Sequence, residues 1–156
     1  MAAGKGSRLG ERTLKTPKSL LKLNDKKTIL HDSISKLIEC NITKIHIVTG
    51  FESEQINEEC RFLGKLYNIE INCVFNPFWN SCNVLGSLFF GINFVLDDFI
   101  FLHADTLFDI KILDVISKGN GNVIAVNSKV VGDEEMKVWL NNEQKICGIS
   151  KEGDNN

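Results

Sequence analysis

"AAGKGSRLGERTLKTPKSLLKL" (residues 2–23) is the stretch on which the reading of this chain turns. Gly4, Lys5, Gly6 and Arg8 stand close together. Glycines leave backbone N–H groups open to an anion, and Lys5 and Arg8 add charge-assisted hydrogen bonds. Lys18 follows Pro17, whose ring fixes the local backbone and biases Thr16 to an extended shape, so the lysine leaves the chain in a defined direction. Three phosphate-binding loops compete here. The P-loop needs G-x-x-x-x-G-K-[ST], and Gly4-Lys5-Gly6 offers no such frame. The dinucleotide fingerprint G-x-G-x-x-G is a poor match, because Leu9 stands where the third glycine belongs. The third is a glycine loop around a triphosphate, with Lys18 as a second, separately held cation. A solvated N-terminal tail with scattered charge is the bland alternative, and short glycine motifs often match by chance.

Outward from this stretch, helix and strand patterns alternate. "ILHDSISKLIE" (29–39) puts Leu30, Ile34, Leu37 and Ile38 on one helical face. "KIHIVTG" (44–50) reads as a strand, and "SEQINEECRFLGKL" (53–66) as a helix with a stripe of Ile56, Cys60, Leu63 and Leu66. Strands follow at 70–76, 98–105 and 122–126, with a buried helix at 84–96 and a short one at 110–117 between them. "MKVWLN" and "KICGIS" read as a hairpin around Asn141 and Asn142. Strands and helices in turn imply an α/β, mostly parallel sheet with helices on both faces. Ligands of such sheets bind beyond the carboxyl ends of the strands. That rule picks out Gly50 and Phe51, Asn76 and Pro77, Asp105, and Asn127.

Length and composition bound the answer. A chain of 156 residues that is 43% apolar is expected to form one domain with a real core. Residues 1–27 hold eight Lys and Arg against Glu11 and Asp25, whereas the rest of the chain carries a net charge of -8. A basic opening on an acidic body suggests a local anion site and argues against nucleic acid as a partner. The five cysteines are odd in number and show no C-x-x-C pair, so neither a disulfide framework nor a zinc site is indicated. No apolar h-region opens the chain and the longest apolar run is too short to span a bilayer, so the expected location is the cytoplasm, without membrane insertion.

Residues 2–21 resemble the signature of the nucleotidyltransferase superfamily that activates sugar phosphates and phosphocholine, L-A-A-G-x-G-x-R-L followed by T-x-x-x-P-K-x-L-L. Ala2, Ala3, Gly4, Gly6, Arg8, Leu9, Thr13, Pro17, Lys18, Leu20 and Leu21 match it. "KIHIVTGF" looks like the family's second strand, and "FNPFWNSCNVLGSLFF" is similar to the asparagine-rich segment that closes on the base and ribose in the phosphocholine cytidylyltransferase-like branch. "FIFLHADTLFD" resembles the strand ending in the metal-binding aspartate, and "DEEMKVWLNNEQKICGISK" the acceptor-side segment. The resemblance implies a three-layer, Rossmann-like (glycosyltransferase-A-like) fold over residues 1–151, with 152–156 a polar tail. It implies transfer of NMP from an NTP, CTP favoured, to a small phosphorylated acceptor such as phosphocholine or a sugar 1-phosphate. A non-catalytic nucleotide-binding module, or an inactive fragment, is the alternative.

The roles implied by that resemblance fall on few residues. Ala2, Ala3, Gly4, Lys5, Gly6, Ser7 and Arg8 would hold the nucleotide, with Lys18 stabilising charge at the α-phosphate and Asp105 binding Mg²⁺. Arg8, Lys18 and Asp105 would form the catalytic set. A carboxylate at a strand's carboxyl end is a good ligand for a hard cation, though a turn acid is the simpler reading. Asn83 and Ser87 are candidates for the base or ribose, with a helix N-cap and an ordinary polar position as alternatives. Lys137 and Lys151 are acceptor candidates, although solvated lysines are commoner. Asp109 is expected to cap the helix at 110 and His103 to be a core or rim histidine; Phe78 and Trp79 are candidates to cover the site, although aromatic residues beside Pro77 are more often packing. The chain departs from the family pattern in four ways, of which Ala104 in place of the glycine before Asp105 is a small one. The hydrophobic strand before A-A-G is missing, Val84 replaces a second asparagine, and nothing after Lys151 supplies a convincing second metal ligand, Glu152 and Asp154 included. A catalytic-domain fragment trimmed at both ends is therefore the expectation.

Overall fold

The structure, a computed structural model, describes residues 1–129, 132, 133 and 135–151, with Ser7 and Arg8 by backbone alone. The tail at 152–156 lies outside the described residues. Two compact units are present, Met1–Asp114 and Val115–Asn156.

The first unit is α/β, built on a parallel sheet with helices. Strand β1 (Ile45–Thr49) pairs in parallel with β2 (Ile71–Phe75), Ile45 opposite Ile71 and Thr49 opposite Phe75. Parallel neighbours need a crossover, which α2 (Ser53–Tyr67) supplies. On the other side of β1, Ala2 N–H donates to the Val48 carbonyl at 2.8 Å and Phe51 N–H to the Ala3 carbonyl at 3.0 Å. Met1 N donates to the Leu102 carbonyl at 2.7 Å and Ala104 N–H to the Met1 carbonyl at 2.9 Å, the rung spacing of a parallel pair. Met1–Ala3 thus fills the slot between β1 and the segment Leu102–Ala104. Counted along these rungs, Asp105, Ala3, Gly50 and Asn76 come level at one crest.

Alternation along β1 sorts the layers. Ile45 and Ile47 face one way, into a core with Leu30, Ile34 and Leu37 of α1 (Ile29–Glu39), Ile56, Cys60 and Leu63 of α2, and Leu113 of α4 (Lys111–Ser117). His46 and Val48 face the other way. There Val48 meets Gly91 of α3 (Val84–Ile92), where an added Cβ would stand 2.8 Å from Val48 Cγ2, and the His46 ring stacks on Phe94 at 6.0 Å. Helices therefore cover both faces of the sheet.

Local chemistry sets the helix ends. The Thr28 hydroxyl oxygen accepts from His31 N–H at 3.0 Å, which caps α1, and Asn41 at φ 61° stops the chain beyond Cys40. Asn83 Oδ1 accepts from Leu85 N–H and Gly86 N–H to open α3, and Asp109 Oδ1 accepts from Lys111 N–H to open α4.

Four expectations need correction. Residues 98–105 form no assigned strand, because only Leu102–Ala104 finds a hydrogen-bonded neighbour. Residues 122–126 form no strand either, and Val123, Ile124 and Val126 are exposed. Leu66 is exposed; the stripe of α2 continues through Tyr67, which packs on the core. The helix at 84–96 stops at Ile92 and is not buried, with Leu85, Phe89 and Leu96 all largely exposed.

In the second unit, β3 (Lys137–Leu140) pairs antiparallel with β4 (Ile146–Ser150) as the expected hairpin. Its turn is pinned by Asn141, whose Oδ1 accepts from the N–H groups of Glu143 and Lys145. Among the described residues, no helix is long and apolar enough to cross a membrane.

Candidate active site

The loop at the crest is shaped by its glycines. Gly6 precedes a 3₁₀ helix (Ser7–Thr13) with φ 67°, and Gly10 within it has φ 59° and ψ -132°, backbone that side chains resist. Thr13, almost fully buried, ties the loop shut by donating its hydroxyl to the Gly6 carbonyl at 2.9 Å. Gly4 has no atom within 4 Å of where a Cβ would stand, so a ligand can come close to its backbone.

Pro17, fully buried and extended at ψ 139°, leads into a one-turn 3₁₀ helix (Lys18–Leu20). That turn lays the Lys18 side chain against the glycine loop: a Cβ on Gly6 would be 3.1 Å from Lys18 Cβ. From there Lys18 Nζ reaches the Asp105 carboxylate, 2.8 Å from Oδ2 and 87 residues away in sequence. Burial pushes the Asp105 carboxyl up. The Lys18 hydrogen bond and charge, with help from its own backbone N–H and His103, outweigh that and hold it below the usual carboxylate range. Asp105 is therefore an anion at neutral pH. Both side chains remain about a third exposed (36% and 37%), so each can still meet a ligand.

These groups line a cleft of ≈ 210 Å³ together with Ala2, Ala3, Gly4 and Gly6 on one side and Trp79, Cys82, Asn83 and Ser87 on another. The second wall is braced by Asn76, which is fully buried. Its Nδ2 donates to Ser87 Oγ at 2.9 Å and Cys82 Sγ at 3.1 Å, and its Oδ1 accepts from Phe78 N–H at 2.8 Å. Ser87 is thus a buried member of this brace. Asn83 caps α3 with its oxygen and stays exposed in the cleft.

Of the candidates from sequence, Ala2, Ala3, Gly4, Gly6, Lys18, Asn83, Ser87 and Asp105 all meet at this cleft. Lys5 does not line it; its Nζ sits 5.5 Å over the Phe51 ring. The side chains of Ser7 and Arg8 lie outside the described residues. Lys137 and Lys151 belong to the second unit, where Lys137 Nζ donates to the Lys151 carbonyl. Sequence reasoning gave no binding role to Met1, Ser19, Cys82, Val84, His103 or Ala104, all of which line the cleft. His103, exposed at the rim, was legible from its place two residues before Asp105. Ser19, buried with no partner for its hydroxyl among the described residues, sits beside Lys18 in the motif. Trp79, for which covering the site stood beside packing as a reading, lines the cleft.

The arrangement can bind an anion and a cation together. The glycine loop and Lys18 suit phosphate oxygens. Among the described residues, Asp105 is the one carboxylate lining the cleft, and no three His, Cys, Asp or Glu side chains converge as a metal cage. A lone carboxylate fits Mg²⁺, which commonly takes one or two carboxylates and completes its shell with water and substrate phosphates.

A family model described as nucleotidyl transferase matches residues 1–133. A "Bifunctional protein GlmU" of Methanococcus maripaludis is 30% identical over 150 residues, 96% of this chain and 34% of that protein. A "CMP-5'-(3-aminopropyl)phosphonate synthase" of Streptomyces rubellomurinus is 28% identical over 114 residues, 73% of this chain and 18% of that protein. The chain spans about a third of the length of the GlmU relative it matches. Among solved structures, the CTP:phosphocholine cytidylyltransferase of Streptococcus pneumoniae aligns with a TM-score of 0.49 and 30% identity, over 59% of this chain and 37% of that one.

Proposed function

Because the chain belongs to the nucleotidyl transferase family, we propose that it moves a nucleoside monophosphate from an NTP to a small phosphorylated acceptor and releases pyrophosphate. One observation carries the reading: Lys18 and Asp105 meet at 2.8 Å beside the glycine loop, at the carboxyl ends of parallel segments.

The chemistry needs what the cleft offers. An acceptor phosphate oxygen forms a bond to the α-phosphorus while the bond from that phosphorus to the pyrophosphate oxygen breaks. The nucleophile is already ionised near neutral pH, so no general base is required. The barrier is charge crowding between two anions, which fixed cations and positioning relieve. Gly4 and Gly6 let the triphosphate approach the backbone. Lys18, held in place by Asp105, turns its ammonium to the α-phosphate oxygens as charge builds there. Asp105, released from Lys18, is the residue that would hold Mg²⁺, which supplies neutralisation of the departing pyrophosphate. Arg8 is proposed as a second cation on the phosphates, and Asn83 as a contact to the base or ribose.

CTP is favoured as donor, on the resemblance of residues 75–90 to the cytidylyltransferase-like branch and on the CMP named in the product of the Streptomyces relative. Phosphocholine or a sugar 1-phosphate is the acceptor class, with Lys137 and Lys151 as acceptor contacts, and the setting is the cytoplasm. Pyrophosphate release tests the proposal: the protein is incubated with Mg²⁺, each of the four NTPs, and either acceptor. Release with one pair is expected. NTP-dependent stabilisation without product from any pair would favour a binding module instead.

A further inference from the structure

The cleft walls divide by chemistry. The glycine loop, Lys18 and Asp105 offer amides and charge. The facing segment offers Trp79, a large aromatic ring, with Cys82 and Val84. We infer that the Trp79 indole is the wall against which the planar base of the nucleotide lies; the inference rests on the nucleotide reading above and extends it to how the base is held.

Three observations support this. First, the ring is fixed before any ligand arrives. Trp79 sits in a turn closed by hydrogen bonds from Trp79 N–H to the Asn76 carbonyl and from Cys82 N–H to the Phe78 carbonyl, over the buried Asn76 brace. Second, the chain makes room for it. A Cβ on Gly50 would overlap Trp79 Cβ and stand 2.7 Å from the Ala3 carbonyl oxygen, so only glycine lets the indole stem settle onto the crest. Phe51 then backs the ring at 5.5 Å and 59°, with Lys5 over the Phe51 ring. Third, the indole is not used up by the fold. Trp79 is only half-buried, lines the cleft, and its indole Nε1–H has no partner among the described residues, whereas a Trp indole N–H serving the core ordinarily finds one. A rigid, partly open aromatic surface beside a phosphate grip is the form in which proteins stack a base, and every base has a π-face to offer. The wall therefore distinguishes nucleotides from bare polyphosphates more than one base from another.

The chain has two tryptophans, Trp79 and Trp139, so Trp139→Phe leaves Trp79 as the lone indole. In that variant, with Mg²⁺, CTP and inorganic tripolyphosphate are titrated while emission and melting temperature are followed. Both ligands are expected to raise the melting temperature, but only CTP to quench Trp79. In an otherwise wild-type chain, Trp79→Leu is expected to weaken CTP binding about 10- to 100-fold while leaving tripolyphosphate unchanged, and Trp79→Phe to recover most of the loss. Stabilisation by CTP with unaltered Trp79 emission, or equal losses for both ligands in Trp79→Leu, would overturn the wall and leave the nucleotide reading intact. No stabilisation by either ligand would overturn both.

Discussion

Replacing Gly6 with alanine separates two effects the glycine loop combines, and Gly10→Ala is the control. Both glycines have positive φ, 67° and 59°. Gly6, with ψ 33°, is left-handed helical, and a side chain there costs about 1–2 kcal/mol, a fall of about 2–8 °C in melting temperature for a domain of this size; Gly10, with ψ -132°, lies in backbone nearly restricted to glycine and should cost about 1–3 kcal/mol. The surroundings differ. A Cβ on Gly10 meets nothing within 4 Å, whereas one on Gly6 stands 3.1 Å from Lys18 Cβ and 3.6 Å from Thr13 Cγ2. Lys18 must then give by a few tenths of an ångström. A catalytic group misplaced by about 1 Å can cost about 100-fold in rate, so about 0.3 Å scales to a loss of about fourfold. The assay is urea unfolding for stability, with pyrophosphate release or NTP-dependent melting for function. Gly6→Ala should lose function that Gly10→Ala keeps, even where Gly10→Ala is destabilised as much or more. Equal function in the two variants would refute the idea that Gly6 sets the position of Lys18.

Lys18→Met and Asp105→Asn should each lower the rate about 100- to 1,000-fold, yet move stability by less than about 1 kcal/mol, because the pair is a third exposed and solvent screens it; a large drop in unfolding free energy would make the pair structural. Asn76→Ala should destabilise by about 2–4 kcal/mol, since it leaves Ser87 and Phe78 N–H without their buried partner, and hydrogen exchange should speed up first over 76–87; protection lost elsewhere first would contradict the brace. Burial, with Lys27 adding to it and Glu59 and Asp32 opposing, holds His31 below its ordinary value near 6.5. The unfolded chain therefore binds the proton more tightly, and stability present above that value falls as the pH drops through it. Melting from about pH 7.5 to about pH 5.5 should show that slope, and His31→Gln should flatten it; an unchanged slope would assign the acid sensitivity to other groups.

Local signals survived the step from sequence to structure best. α1 runs over the eleven residues its pattern marked, because Thr28 caps it and Asn41 stops it. The Lys18–Asp105 meeting spans 87 residues; no local pattern contains it, and it was expected only because a strand-end rule and a family resemblance agreed. Periodicity cannot say whether a strand will find a partner. Residues 122–126 form a short apolar run as a buried strand would, and the structure gives them no partner strand. Nor can it say how much of an apolar helix is covered, as the open face of α3 shows. The Asn76 brace was hidden for the same reason: it arises from contacts that only the fold creates.

The most direct measurement is a crystal structure of the protein with a non-hydrolysable CTP analogue and Mg²⁺. The triphosphate should lie along Gly4–Gly6, with Lys18 Nζ turned from Asp105 to phosphate oxygen and the cation on Asp105. An analogue bound elsewhere, with the Lys18–Asp105 pair intact and the cleft free of phosphate, would contradict the account.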